Sequence, residues 1–393
     1  MSLVNTIVNP AVFVVMAISA AGASAAPADA GLIAHEWGTF TSVAGEDGSA
    51  VQWAPLFGAP DLPCFVNRLG PFNTKFAPGL VRMETPVLYF YAPDKETLSV
   101  HVHFPHGWIT EWYPQATRVS PETSQNASYE PFMHGKIDWD GVQVSTGASL
   151  PFPSSQGSSR YYAARNTDSA PLRIGDDNEK FIFYRGIADF SIPLEPRFTN
   201  DGKLELRNSG TAPIPFAIVF ENRDGNVGYR FRPDIKSSAT IDPPELTGNL
   251  TNLREQLAKS LIDSGLYRKE ALAMIDTWQD SWFEEGMRVL YIVPRSFVNA
   301  QLPLSIKPRP AEVKRVFVGR IEVLSPEAEE AIHTGLVNGD TATLAKFGRF
   351  LDAFMQQIEK HDSNLVESPA ARRYFDQAYA EIWQKFNAKS CVQ

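Results

Sequence analysis

Between about residues 31 and 240 the apolar positions fall in short runs of aromatic and β-branched residues, broken by Pro, Gly, Asn and Asp. That rhythm predicts strands. Val87-Leu88-Tyr89-Phe90-Tyr91 and Phe181-Ile182-Phe183-Tyr184 are two such runs. Lys203-Leu204-Glu205-Leu206-Arg207 alternates as a half-buried strand does. Asn208-Ser209-Gly210 follows as a turn, so the run from Phe216 to Glu221 reads as its hairpin neighbour, ended by Arg223-Asp224-Gly225-Asn226. Units this close together predict an antiparallel sandwich. Residues 145–180, rich in Ser, Gly, Pro and Asn, read as a long loop.

From about 248 the period lengthens to nearly four. Asn252 is a candidate cap for a helix carrying Leu253, Leu257 and Leu261 and ending near Ser264-Gly265. A second helix runs from about Arg268 to Glu285, with Leu272, Ile275 and Trp282 among its apolar positions. Strand-like text returns from Arg288 to Val293 and from Arg315 to Val323, and these runs are expected to complete the earlier sheets. Ser325-Pro326 and Ser368-Pro369 put Ser at an N-cap and Pro at the first helical position, and Asp340 caps the helix between them. On that helix Leu344, Phe347, Phe350, Leu351, Phe354 and Ile358 form one broad apolar face. The last helix, with Tyr374, Phe375, Tyr379 and Trp383, repeats the pattern, and core packing is the expected use of both faces.

The reading is therefore an α+β chain: an antiparallel β-sandwich-like N-terminal region with an α-helical C-terminal part. Its divisions are a signal peptide at 1–25, a β-rich domain at 31–245, a helical pair plus returning strands at 246–324, and C-terminal helices at 325–393. Residues 1–26 carry no charged side chain, hold the apolar run Ala11 to Ile18, and offer a small-x-small cleavage site at Ala23-Ser24-Ala25. That predicts export, to the periplasm or beyond. The run is shorter than the ~20 residues a spanning helix needs, so no transmembrane span is expected in the mature chain. A formal net charge of −9 without a Lys/Arg run argues against nucleic acid as a partner. Cys64 and Cys391, the two cysteines, could form one bridge in an oxidising compartment or remain two inert thiols.

Histidines are unevenly spread. Of seven, His35, His101, His103, His106 and His134 lie within 100 consecutive residues. Ser99-Val100-His101-Val102-His103-Phe104 alternates, so in a strand both imidazoles share one face while Val100, Val102 and Phe104 line the other. A rigid strand fixes their separation, as a metal site requires, and His106, after Pro105, turns back as a third candidate ligand. His35 and His134 complete the candidate set for a divalent metal, Zn or Cu. Met83 beside Glu84 and Met133 beside His134 would suit copper, although methionine is more often core filler. Three ligands and an open position would activate water, with Glu36 or Glu84 as general base for hydrolysis of an unknown substrate. The competing reading is that the histidines sit on a solvated strand face. The protein is then a non-catalytic envelope protein binding a small molecule or protein partner through its β region.

Other signals are weaker. Trp108, Trp112, Tyr113 and Trp139 read as core before they read as a sugar-stacking platform. Glu84, Glu111, Asp138 and Asp140 could supply a glycosidase pair, but their spacing does not demand one. The strings His35-Glu36-Trp37-Gly38-Thr39-Phe40 and Met83-Glu84-Thr85-Pro86-Val87, extending to Trp282-Phe283 and Arg288-Val289-Leu290-Tyr291, resemble ones in uncharacterised secreted bacterial proteins. The resemblance implies secretion and a bacterial source and assigns no catalytic residue.

Overall fold

The computed structural model describes residues 31–57, 61–69, 78–121, 134–147, 149–155, 159–362 and 369–387. Its central pair is β1 (Ile33–Val43) with β3 (Val81–Tyr91), both buried along their whole length. Their sequences therefore mix apolar and charged residues without alternation, because neither face meets water. β1 also pairs, in parallel, with β18 (Glu312–Val323).

Nine strands form the main sheet. Outward from β18 come β16 (Gly286–Ile292), β13 (Ile214–Arg223) and β14 (Asn226–Ile235). Outward from β3 come β10 (Ile182–Ala188), β5 (Gly107–Tyr113) and the short β2 (Asn67–Arg68). Both returning runs, at 288–293 and 315–323, thus lie in one sheet with strands from the first half of the chain.

A second sheet orders β17 (Leu304–Lys307), β4 (Glu96–Phe104), β7 (Gly135–Val144), β8 (Leu172–Ile174) and β9 (Asp177–Glu179), with β6 (Arg118–Ser120) also on β7. The alternation at Ser99 to Phe104 works as expected: Val100, Val102 and Phe104 are buried and meet Phe40, Leu88 and Phe90 of the main sheet in one core. A smaller sheet, β11 (Leu194–Phe198), β12 (Leu204–Asn208) and β15 (Ser238–Ile241), adds Leu194, Leu204 and Leu206 to that core. The architecture is α+β, with large, mainly antiparallel sheets and helices in the C-terminal half.

The opposite face of the main sheet is covered by α1 (Leu250–Asp263) and α2 (Arg268–Trp282). Leu253, Leu257, Leu261, Ile275 and Trp282 pack there on Trp37, Tyr89 and Leu290. α4 (Pro326–Asn338), α5 (Thr341–Ala345) and α6 (Leu351–Glu359) build a third core around Val43 and Trp53, and α7 (Pro369–Asn387) adds Ala371. Among the described residues no helix is long and apolar enough to cross a membrane.

Several local expectations change. β12 pairs with β11 and β15, not with β13, because Asn208 spends its amide on the carbonyls of Ala212, Ile235 and Lys236 and turns the chain away. Asn249, not Asn252, caps α1 by accepting from the N–H groups of Thr251 and Asn252. Leu272 is exposed on α2. The segment 145–180 holds a short 3-10 helix (Arg160–Arg165) and the β8–β9 hairpin. The helix capped by Asp340 is broken near Gly348, whose φ of +49° is left-handed. Tyr379 is exposed on α7. The signal peptide, Ser368, Met133 and Cys391 lie outside the described residues. Cys64 is disulfide-bonded.

Candidate functional site

A dense group of charged residues inside the main sheet lies at the end covered by the last turns of α2. Across β18, β1 and β3 the register aligns Arg320, Thr41 and Arg82. Next to them stand Glu322, Glu84, Arg288 on β16 and Arg185 on β10, all less than a tenth exposed. Buried charges persist only when paired, and these are. Arg288 and Arg320 both bind Glu322, at 2.9 and 2.7 Å. Arg320 also reaches Glu284 at 2.5 Å. Glu84 takes Arg349 at 2.6 Å, with Arg82 at 3.6 Å. Arg185 forks onto Asp61 through two contacts of 2.8 Å, and Arg160 forks onto Asp280.

This belt opens into a half-open pocket of about 400 Å³. Its wall holds four guanidiniums, from Arg82, Arg160, Arg185 and Arg349, and four carboxylates, from Asp61, Glu84, Asp280 and Glu284. Phe57, Tyr161 and Trp278 supply aromatic surface, and the Arg185 guanidinium lies 5.8 Å from the Trp278 ring centre. Burial pushes the Glu84 carboxyl up, but Arg349, then Arg82 and Arg320, hold it below the ordinary range. Desolvation likewise acts upward on Asp61, and Arg185 and Arg82 hold it far below. Both are therefore carboxylates at neutral pH, acceptors with no proton to give.

Backbone strain marks the same place. Thr85 has φ +46°, a conformation β-branched residues rarely adopt. It sits where the register of β3 slips against both β1 and β10, opposite Gly38. Its Oγ1 accepts from Arg185 Nε at 3.0 Å. Such strain persists where the surroundings over-determine it, often at functional sites.

Of the candidate catalytic and metal-binding residues, Glu84 alone is in the described lining of this pocket. Glu36 points to the inter-sheet side, bound by Arg315 at 2.5 Å and by the Tyr184 hydroxyl. His35 is buried under α2, where its Nδ1 meets Glu270 at 2.8 Å, Tyr267 stacks on the ring, and Tyr91 donates to the same carboxylate. His101 and His103 do share the outer face of β4. His101 Nδ1 lies 2.9 Å from Asp138, and the His134 ring centre is 6.3 Å from that of His103. His103 Nε2 is buried with no hydrogen-bond partner among the described residues. His106 is exposed in the turn before β5. His35 is therefore enclosed under α2 with Glu270, apart from the outer-face group of His101, His103 and His134. Among the described residues, no three His, Cys, Asp or Glu side chains converge as a metal-holding group.

No family model and no curated protein matches this chain. Among solved structures it is similar to the yeast delta-COP-I mu-homology domain complexed with a Dsl1 WxWxV peptide, at 9% sequence identity and a TM-score of 0.28, covering 75% of this chain and 98% of that one. A likeness this slight carries no functional conclusion.

Arg82, Arg185, Arg349, Asp61 and Glu284 were not singled out by the sequence reading. The usable signal was charge in or beside apolar strand text: Arg320-Ile321-Glu322 lies within the run from Arg315 to Val323, Arg185 directly follows Phe181 to Tyr184, and Arg82-Met83-Glu84 precedes Val87 to Tyr91.

Proposed function

We propose that the chain is a ligand-binding protein whose charged pocket takes a neutral polyhydroxylated ligand, a saccharide unit. The observation that carries this reading is the balance of the pocket wall: among the described residues, four guanidiniums stand against four carboxylates. An ionic ligand would have to compete with these pairs, and breaking the buried contacts of Glu84 with Arg82 and Arg349 would strand a charge at a cost of about 3–5 kcal/mol. Hydroxyl groups need break none, since each paired group keeps further lone pairs or N–H bonds to offer. Phe57, Tyr161 and Trp278 add faces for the C–H surface of a sugar ring. The downward displacement of Asp61 and Glu84 supports binding over acid catalysis, which needs a carboxyl that keeps its proton. The disulfide at Cys64 supports an oxidising compartment and so an exported protein.

Calorimetric titration with neutral mono- and oligosaccharides tests this. Saturable binding is expected, weakened roughly tenfold or more by Asp61→Asn or Arg349→Gln, a loss of about 1.4 kcal/mol. If no neutral saccharide binds, or the two variants bind it as wild type does, the reading fails.

A second reading, metal binding on the outer face of β4, is favoured by His103. Burial, with Lys136 and His134 close by, holds its imidazole below the usual value, in the neutral form a metal needs. His103, with His101 and His134 as the nearest further imidazoles, would be the residues to hold Zn or Cu there, without Glu36, Glu84 or His35. Elemental analysis of wild type and of the His101→Ala/His103→Ala double variant decides it: metal at one per chain, lost in the variant, is the expected result, and metal-free wild type removes the reading.

A further inference from the structure

A second pocket, of about 560 Å³, lies on the other side of the molecule's charge pattern, between β17, the α3 helix (Arg295–Gln301) and the start of β18. Arg295, Lys307, Arg309 and Arg315 line it, and its wall contains no carboxylate. The contrast with the saccharide pocket is direct. There every cation has an acid opposite in the wall; here only Arg315 is paired, with Glu36 behind the wall, and Arg295, Lys307 and Arg309 face the cavity with no acid in its described lining. Arg315 is the buried member. It is held by Glu36 at 2.5 Å, by Asn299 at 3.1 Å and by the Leu302 carbonyl at 2.7 Å, and its Nη2 has no hydrogen-bond partner. Glu312, close in sequence, is turned to Lys314 at 2.6 Å. Arg295 spends one N–H group on the Val313 carbonyl at 2.8 Å, a contact that holds the guanidinium without neutralising it.

Like charges gathered around a cavity repel one another, and an anion seated among them relieves that cost. Planar guanidiniums and an ammonium match the oxygens of phosphate and carboxylate groups. We propose that this cavity is an oxyanion-binding site, taking a phosphate or carboxylate group of a small ligand. It is separate from the saccharide pocket: Glu36 and Arg315 face the inter-sheet side of the main sheet, whereas Glu84 and Arg185 face α2. The proposal does not depend on what the first pocket binds.

The test uses the full chain and inorganic phosphate, citrate and acetate as probes, titrated calorimetrically in chloride buffer of matched ionic strength. Lys307→Ala/Arg309→Ala is the variant of choice, because both side chains are exposed and the fold does not rest on them. Saturable binding of phosphate or citrate is expected, weakened roughly tenfold or more in the double variant, with unchanged circular dichroism. Arg349→Gln, on the opposite face, should leave this binding untouched. Preference for phosphate assigns a phosphate monoester, and preference for citrate a carboxylate ligand. No saturable heat with any probe, or equal affinity in the double variant, overturns the proposal. A result confined to this site leaves the saccharide titration to be judged by Asp61→Asn and Arg349→Gln alone.

Discussion

Arg185 donates from Nε to Oγ1 of Thr85 at 3.0 Å, so the guanidinium that grips Asp61 is itself anchored on a residue with φ +46°. The strained elbow of β3 and the charge pair at the pocket mouth are one mechanical unit. Thr85→Val keeps the branched shape but leaves Arg185 Nε without its acceptor. A loss of about 1–3 kcal/mol is expected, read by urea denaturation. Thr85→Gly relieves the backbone as it removes the acceptor, so its loss should be the smaller of the two. The reverse order would show that relief of the φ strain does not offset the chain freedom and packing that glycine gives up.

Glu322 sits between two buried guanidiniums, those of Arg288 and Arg320. Glu322→Gln removes the negative charge and leaves both cations enclosed. Unfolding free energy should drop by about 3–5 kcal/mol. A drop within experimental error would mean that water reaches this end of the sheet.

Acid should weaken the fold through the same belt. Burial acts upward on Glu84 and Glu322, but their arginine neighbours outweigh it and hold both carboxyls below the ordinary value of 4.5. A carboxyl depressed in the folded state contributes stability that is complete above its unfolded value and lost as pH falls through its folded one. Below about pH 4.5 the stability gap between wild type and Glu84→Gln should therefore narrow steadily. Denaturation midpoints at pH 7, 5, 4 and 3 measure it, and a constant gap would contradict the assignment.

Gly38 faces a different constraint. A Cβ at this position would lie 2.7 Å from Cε1 of the buried Phe317 ring. Gly38→Ala should cost about 1–3 kcal/mol through overpacking, visible as a lowered Tm, and Gly38→Ala with Phe317→Leu should recover part of it. If the pair is no more stable than the single variant, the clash is not with Phe317.

The strand at Ser99 to Phe104 was legible because one of its faces is wet, so polarity alternates. β1 and β3 have no wet face, and their charged residues read as chemistry when most of them are pairing partners. Glu36 on β1 and Glu84 on β3 illustrate this: one is locked by Arg315 between the sheets and the other by Arg349 under the helices. His35 was set apart from His101 and His103 by Glu270, a partner 235 residues away that no local pattern announces. The pocket was hidden for the same reason. Arg185 and Asp61 are 124 residues apart, and a paired wall assembled from distant segments leaves no spacing to read. Helix starts fared better, since caps such as Ser325 and Asp340 act within three residues.

The parallel pairing of β1 with β18 joins Ile33 to Glu312 and runs to Val43 beside Glu322. The heart of the sheet is thus closed by the two most remote strands of its sequence, and such non-local contacts slow folding. A nascent chain lacking the residues after 312 has no neighbour for that edge of its first strand. Fragments cut anywhere between these strands expose a long apolar edge to other chains, so expression of the β-rich half alone should yield aggregates where the whole chain yields a monodisperse species.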